Sequence, residues 1–458
     1  MSDRVITSGA SLAEVARGEV ISRGADGVPT GAAVDSRAVG SGDLFFGIPG
    51  ARADGGTFAS QAIANGAWGV IAGRQWIDQT EAAGAWLIAV DDPLDALQRL
   101  ARQRRRDLDC KVVGITGSNG KTTVKDICRA ILGDRTYASE ENRNTEIGLP
   151  LTILDTPDDT EILVCEMGMR GVGQIAELCE IAEPDVGVIT NVGPVHLELL
   201  GSMEAIAAAK AEMLAGTKPG GTAVVPADPG EYLAPHLAGE LEPGPGEGVG
   251  LLRFGDGGDV FASAVEGSSG HISAEINAPP GSHRFEFPFT ESHNLLNALA
   301  AVSAGIALGL DLGEMARRAP GIVFSRLRGE SIRLQSGSML INDCYNANPV
   351  SMRAAIDHLA SLEAGRRIAV MGEMLELGPE AEKFHADTAD HARSAGVDLL
   401  MGVGEMAKGY SPDRWFGTAE EAAEGLAGTI ESGDVVLIKG SRSVGLEVIA
   451  ERLVTGVS

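Results

Sequence analysis

Short apolar runs separated by Gly-rich turns and helical stretches set the frame of this chain. KVVGIT (111–116) is an apolar run that ends in a Gly-rich turn, and Val124, Ile127 and Ile131 then recur at helical spacing. ILVCE (162–166) and VGVIT (186–190) are further buried-strand candidates, with a helical stretch near 173–182 between them. This alternation implies a mostly parallel sheet covered by helices, because parallel neighbours need crossovers and bury both faces. Ahead of it, the first 90 or so residues are Gly-rich, with apolar runs at 44–48 and 68–72, and read as a small mixed α/β domain. The stretch 228–250, rich in Gly, Pro and Glu, reads as a loop. Segments at 258–289 alternate as antiparallel strands, and an Ala-rich helix is expected over 293–309. Beyond about 328, RIAVMG (367–372), VDLLMGVG (397–404) and DVVLIKG (434–440) are three more short strands with helical patterns between them, a second doubly wound unit. No fixed-period repeat is present.

Composition narrows the class. At roughly 100–200 residues per domain, 458 residues suggest two to four domains. Hydrophobic residues make up 44% and charged residues 22%, ordinary for a soluble globular protein with several real cores. The formal charge of −27, from 64 acidic and 37 basic residues, opposes sequence-independent nucleic-acid binding and docking on anionic membranes. An anionic small molecule is still admissible, since local Lys, Arg and helix N-termini bind phosphates inside a negative protein. The five cysteines (Cys110, Cys128, Cys165, Cys179 and Cys344) form no CxxC pair and fit a reducing cytoplasm. Each reads as a small buried hydrophobe. MSDRVITSGASLAEV lacks the apolar core of a signal peptide, and no run of 18 apolar residues occurs, so a cytoplasmic chain without membrane insertion is expected.

The sharpest motif is TGSNGKTT, 116–123, which follows a strand and opens a helix as a phosphate loop requires. Glycines let the backbone approach closely, and free N–H groups face the phosphates. Lys121 reaches the outer phosphates and the Thr122 hydroxyl can ligate Mg2+. The strict GxxxxGK[ST] pattern would place its first Gly at 115, where Ile115 stands. The loop says nucleotide, not which reaction. Glu166 ends a strand, where a carboxylate can hold Mg2+ near the loop. Taken alone, His196 in TNVGPVHLELLGS is a structural or surface histidine, and Lys210 in AAAKAEML a surface helix lysine beside Glu212. ESHNLLNALAAVSAG (291–305) opens an Ala-rich helix with polar residues. NDCYNANP (342–349) is a strand end turning into a helix, with Asp343 and Asn346 facing the nucleotide. KGSR (439–442) opens a helix, a natural anion site.

TGSNGKTT is similar to the ATP loop of the Mur ligases, whose own pattern is TGxxGK[ST], so the departure at Ile115 becomes support for the resemblance. Three segments resemble the branch that adds D-alanyl-D-alanine. ENRNTEIGLPLTIL (141–154) resembles NxNNEIGxPLTLL, with Thr145 in place of the second Asn of the pair. NDCYNANPVSM resembles DDxYNANPxSM, with Asn342 for the first Asp, and MGEMLELG (371–378) with His385 resembles GEMxELGxxxxxxH. The DNPR motif of the diaminopimelate-adding relative is missing. VDSRAVGSGDLFFGIPG (34–50) resembles the uridine-nucleotide domain, although Asp54-Gly55-Gly56 lacks the His of the DGHxF pattern. In order along nearly the whole chain, the resemblance implies an α/β protein of three domains. These are a small mixed α/β N-terminal domain for the UDP-linked precursor (1–90), a central P-loop ATPase-like parallel-sheet domain with an antiparallel subsheet (91–327), and a C-terminal Rossmann-like domain (328–458).

The resemblance also implies roles. Thr116, Gly117, Ser118, Asn119, Gly120, Lys121, Thr122 and Thr123 would cradle ATP. Asn294 and Asn297, in the family's HNxxN segment, would lie near the adenine, and either Arg326 or Arg328 would clamp phosphate. Glu166 and His196, with Thr122, would ligate Mg2+. Lys210 would take up CO2 as a carbamate and help hold a second Mg2+, since a buried amine deprotonates readily. Lys121, Lys210, His196 and Glu166 form the expected catalytic set. Ser36 and Arg37 would contact the uridine diphosphate, while Asn142, Asn144, Thr145, Asn348, Lys439, Ser441 and Arg442 would contact the peptide substrates. The implied reaction is ATP-dependent ligation of D-alanyl-D-alanine to UDP-N-acetylmuramoyl-tripeptide through an acyl phosphate, by a monomer, for peptidoglycan synthesis. Two rivals remain at this point: an amide ligase for another substrate, of the folylpolyglutamate or diaminopimelate-adding kind, and a phosphate-loop ATPase without ligase activity.

Overall fold

Each of three units is built on a sheet with a hydrophobic core on either face. The structure is a computed structural model, and it describes residues 5–139, 142–268 and 270–455. Glu141, which opens the 141–154 segment, and residues 1–4 and 456–458 at the termini lie outside the described residues.

The first sheet contains β1 (Glu19–Ser22), β2 (Gly31–Ala33), β3 (Asp43–Gly47), β4 (Gly69–Gly73) and β5 (Trp86–Val90) in the order β1-β5-β4-β3-β2. Only the β1–β5 pair is antiparallel. The period of two along the strands sorts the side chains: Leu44, Phe46, Ile71 and Ile88 face one core, Phe45, Val70 and Leu87 the other. Helix Pro93–Asp107 starts where Asp92 accepts the Leu94 and Asp95 N–H groups at 2.8 and 3.2 Å, with Pro93 in the first turn. Its Leu97 and Leu100 complete the first core, while its Ala101 belongs to the core of the next unit, so the helix is shared between the two.

The central sheet is all parallel: β6 (Lys111–Thr116), β7 (Thr136–Ala138), β8 (Ile162–Glu166), β9 (Val186–Ile189), β10 (Thr222–Pro226) and β11 (Gly250–Phe254), in the order β11-β10-β9-β6-β8-β7. From β6 the chain builds first to one side, then returns to the other. This reversal opens a crevice beyond the carboxyl ends of β6, β8 and β9. An antiparallel sheet of β12 (Phe261–Ser268), β13 (His271–Ala278) and β14 (Gly281–Phe287) closes one core with helix Ser292–Ala307. There Phe285, Phe287 and Phe289 stack in sequence, at 5.5 and 5.2 Å between ring centres. The third sheet holds β15 (Glu330–Arg333), β16 (Met339–Asn342), β17 (Arg367–Gly372), β18 (Leu399–Val403), β19 (Arg414–Phe416) and β20 (Val435–Lys439), in the order β15-β16-β20-β17-β18-β19, parallel but for β15.

The α/β class, with parallel sheets and one antiparallel sheet, is as the sequence led us to expect. Differences are local. The stretch 228–250 is not all loop, since helix Gly230–Leu237 forms within it despite Pro235. Leu233 and Leu237, four residues apart, are buried against the central core, and that burial outweighs the poor local propensity. The edge strands β15 and β19 went unread because they are short and largely exposed, so little alternation marks them. KGSR does not open an α-helix: Arg442–Val444 is a three-residue 3-10 turn closed by left-handed Gly445, and the α-helix begins at Glu447. Among the described residues, no helix is long and apolar enough to cross a membrane.

Candidate active site between the central and C-terminal units

The loop after β6 has the backbone its glycines allow. Gly117 (φ 149°) and Gly120 (φ 80°) lie in the region that favours glycine. A Cβ would stand 1.8 Å from Thr190 Oγ1 at Gly117 and 2.3 Å from Asn297 Oδ1 at Gly120. The segment after β9 braces the loop. Asn191 accepts the Ser118 N–H on its carbonyl at 3.1 Å and the Asn119 N–H on its side chain at 3.0 Å. Thr190 Oγ1 donates to the Asn119 carbonyl at 2.5 Å, and Ser118 Oγ exchanges hydrogen bonds with Gly193. Since the Ser118 and Asn119 N–H groups are thus engaged, the anion-facing donors are those of the first turn of helix Lys121–Ile131, which have no intrahelical partner.

Side chains converge in front of that turn. Thr122 Oγ1 donates to Glu166 Oε2 at 2.9 Å, and the Asn144 amide donates to Glu166 Oε1 at 2.8 Å. Arg328 Nη2 donates to Thr122 Oγ1 at 3.0 Å, and its guanidinium lies 3.8 Å from the centre of the Tyr345 ring. Arg326, two residues earlier, is exposed, so the geometry selects Arg328 from the pair. The approach of Arg328 is fixed by Asp126 on the loop's own helix, which accepts the Ser325 N–H at 2.7 Å and its hydroxyl at 3.1 Å. Lys121 Nζ donates to the Gly117 carbonyl at 2.7 Å. Two buried polar atoms here, Thr116 Oγ1 and Arg328 Nε, have no hydrogen-bond partner among the described residues.

Burial governs the electrostatics. The Lys121 ammonium is pushed below its ordinary pKa by burial, with Glu166 opposing and Arg328 adding to the shift. Lys210, only 2% exposed, is pushed well below the ordinary lysine value by burial and then by the charge of Lys121. His196 is lowered by burial, opposed by Glu376, and lowered further by Lys210 and Lys121. The two lysines and the histidine therefore sense one another. Around helix Ser292–Ala307, Asn297 Nδ2 donates to Asn294 Oδ1 at 3.1 Å, and Glu291 meets His358 of the C-terminal unit at 3.5 Å.

Besides the Glu291–His358 pair, further contacts among the described residues join this cluster to the C-terminal unit. Asn119 and Asn348 exchange side-chain hydrogen bonds at 3.2 and 2.5 Å. Tyr345 lies under Arg328, and His196 meets Glu376. Lys439, at the end of β20, donates to Asp343 Oδ2 at 2.6 Å and to the Asn346 carbonyl at 3.0 Å. Ser441 Oγ accepts the Leu375 N–H at 3.0 Å, and Arg442 pairs with Glu447 at 2.7 Å. The carboxyl ends of β6 and β9 thus face those of β16, β17 and β20 across one cleft.

Other expected residues stand differently. Asn142 and Thr145 are exposed, and Thr145 Oγ1 accepts the Gly148 N–H at 3.3 Å. Ser36 donates to Gln61 at 2.8 Å, and Arg37 pairs with Asp35 at 2.6 Å, both within the first unit. The missing His of the DGHxF pattern has a local cause: a Cβ at Gly56 would lie 2.1 Å from Trp76 Cδ1, so the indole excludes any side chain there. Sequence reading assigned no role to Asn191, Tyr345 or Glu376, although each sits inside a motif quoted above.

The donor set suits magnesium. Among the described residues, no three or more His, Cys, Asp or Glu side chains cluster as a closed cage. One hydroxyl and one carboxylate beside a phosphate-type loop are what Mg2+ uses, with substrate oxygens and water filling the rest.

Comparison with known proteins places this geometry. Residues 30–105 match the family model described as Mur ligase family, catalytic domain; residues 115–305 match the Mur ligase middle domain; residues 327–442 match the Mur ligase, glutamate ligase domain. The UDP-N-acetylmuramoyl-tripeptide--D-alanyl-D-alanine ligase of Bacillus subtilis (strain 168) is 35% identical over 437 residues, 93% of each chain. The enzyme of the same name from Escherichia coli (strain K12) is 30% identical, covering 96% of this chain and 97% of the relative. Among solved structures, MurF from Acinetobacter baumannii superposes with a TM-score of 0.86 at 28% identity, covering 99% and 100% of the two chains. The MurF ligase of Thermotoga maritima in complex with ADP does so with a TM-score of 0.79 at 31% identity, covering 93% and 97%.

Proposed function

This chain belongs to the Mur ligase family, and on that premise we propose that it joins D-alanyl-D-alanine to UDP-N-acetylmuramoyl-tripeptide at the expense of ATP. The products are ADP, phosphate and the UDP-linked pentapeptide used in peptidoglycan synthesis. One observation carries the reading: the nucleotide loop meets, through Asn119 and Asn348, the YNANP segment that resembles the D-alanyl-D-alanine-adding branch.

A carboxylate is a poor electrophile, so it must be activated. The tripeptide carboxylate oxygen bonds to the terminal phosphorus of ATP, and ADP leaves. The amine of the dipeptide attacks the acyl carbon of the resulting acyl phosphate; the tetrahedral adduct expels phosphate and loses the ammonium proton, leaving the amide. Lys121, Arg328 and the first-turn N–H groups offset charge that spreads over the transferring phosphoryl group. Thr122, Glu166 and His196 would hold one Mg2+. Lys210, whose buried amine can attack CO2 and lose its proton, would help hold a second as its carbamate. When bound, these ions supply further neutralisation of the phosphates. Asn294 and Asn297 would face the adenine, and Asp343 and Asn346 the ribose and phosphates. Docking of the C-terminal unit excludes the water that would hydrolyse the acyl phosphate.

In this reading, residues 1–90 with Ser36 and Arg37 hold the uridine end, 91–327 hold ATP, and 328–458 with Asn348, Lys439, Ser441 and Arg442 serve the peptide side, together with Asn142, Asn144 and Thr145. The chain acts as a monomer in the cytoplasm, a reading its five free cysteines fit.

The test is phosphate release from ATP by purified protein with Mg2+, bicarbonate and the UDP-linked tripeptide, with and without D-alanyl-D-alanine. Release that requires both substrates, with a product heavier by the dipeptide, supports the reading. Release with a different acceptor assigns another amide ligase, and release indifferent to any acceptor leaves an ATPase.

A further inference from the structure

Glu376 has no part in the chemistry above, yet it reaches the central unit from the turn that follows β17. Its carboxylate accepts the Nδ1–H of His196. The backbones meet as well: the Glu198 N–H donates to the Glu376 carbonyl at 3.2 Å, and a Cβ on Gly378 would lie 3.4 Å from Glu198 Cα. Both partners have left-handed backbones, with φ of 55° at His196 and 61° at Glu376. Residues other than glycine adopt that region only against steric strain, and such strain concentrates at functional sites. Two of them meeting across a junction between units is not the pattern of a casual surface ion pair.

The turn is held from behind. His385, fully buried, accepts the Met374 N–H on Nε2 at 3.0 Å and donates from Nδ1 to the Ala381 carbonyl at 2.6 Å. Its ring centre lies 4.7 Å from that of Tyr410, whose hydroxyl donates to the Gly372 carbonyl at 2.9 Å. The Leu375 N–H donates to Ser441 Oγ at 3.0 Å. Glu376 is therefore presented on a fixed loop, not a free one.

An ionised carboxylate only accepts, so the proton sits on Nδ1 and the lone pair on Nε2, free for a cation. Partners of this kind orient ligating histidines. We propose that Glu376 is a positioning residue that fixes the ring and tautomer of His196 for metal binding, so that cation affinity depends on docking of the C-terminal unit. This rests on the reading in which His196 ligates the metal.

The test uses the full chain, saturated with a non-hydrolysable ATP analogue and titrated with Mn2+, with free Mn2+ read by electron paramagnetic resonance. Glu376→Ala is expected to weaken Mn2+ binding by about tenfold or more, with analogue binding in EDTA unchanged. Glu376→Gln, whose amide oxygen still accepts from Nδ1–H, should recover most of the loss. On a His196→Ala background, Glu376→Ala should add nothing. Wild-type Mn2+ affinity in Glu376→Ala, or an undiminished effect on the His196→Ala background, would overturn the proposal. If His196→Ala alone binds Mn2+ as wild type does, the metal reading of His196 fails, and this inference with it.

Discussion

Lys210 and Arg328 show how much the site depends on single side chains. Lys210 is buried, and burial first, then the charge of Lys121, push its pKa well below the ordinary lysine value, toward the neutral amine. A lysine whose folded pKa lies below its unfolded value makes the folded state less stable as pH falls below the ordinary lysine value. Lys210→Met removes that penalty without emptying the site. We expect its melting temperature at neutral pH to equal or exceed that of wild type, with the difference shrinking toward pH 10, while ligation is lost. A melt series across pH together with the phosphate assay checks this; a destabilised variant would mean that the amine is paired in solution. Arg328 bonds Thr122 and covers Tyr345 at once, which the fork and the flat face of a guanidinium permit and an ammonium does not. Arg328→Lys should lower kcat by about 100-fold, whereas Arg326→Ala, at an exposed position, should leave it near wild type.

At the scale of elements, helix Pro349–Ser361 carries the link between units in its first residues. Asn348 Oδ1 accepts the Ser351 N–H at 3.0 Å, Ser351 returns the bond to the Asn348 N–H, and Pro349 occupies the first turn. The same side chain reaches Asn119 in the nucleotide loop. Asn348→Ala should therefore lose about 1 kcal/mol of stability for want of the cap, seen as a lower urea midpoint. Asn348→Ser can restore the cap but is too short to keep the bridge. Its midpoint should return toward wild type while its kcat/KM stays as low as that of the alanine variant. If serine restores both, the bridge to Asn119 is without consequence.

For the whole molecule, charge is the dominant fact. A net −27 works against compactness through self-repulsion, even though the cleft gathers Lys121 and Arg328. Salt shortens the reach of such repulsion from about 10 Å at 0.1 M to about 3 Å at 1 M. Melting temperature should accordingly rise with sodium chloride over that range, read by differential scanning fluorimetry. A fall would mean that the surface ion pairs outweigh the repulsion. The acidic exterior also cannot attract an anionic precursor, so its capture falls to the few cations in the cleft.

The sequence by itself determined the elements and the chemistry of the loop. KVVGIT became β6 residue for residue, and TGSNGKTT took the strand–loop–helix form, because a continuous apolar run and glycine-dependent backbone are local properties written in contiguous residues. The edge strands and the helix at 230–237 escaped because exposure or tertiary burial, not local pattern, decides them. Only the folded chain chose among candidates that look alike along the sequence. Arg328 rather than Arg326 enters the cleft because Leu327 takes a left-handed turn between them. Lys210 reads as a surface lysine in AAAKAEML, yet residues on every side of helix Met203–Gly216 are buried, so no stripe of polarity tells which side meets solvent. The pairs Thr122–Arg328, Asn119–Asn348 and His196–Glu376 join residues 206, 229 and 180 positions apart. Such contacts depend on how finished units dock, and no local regularity in the chain encodes them.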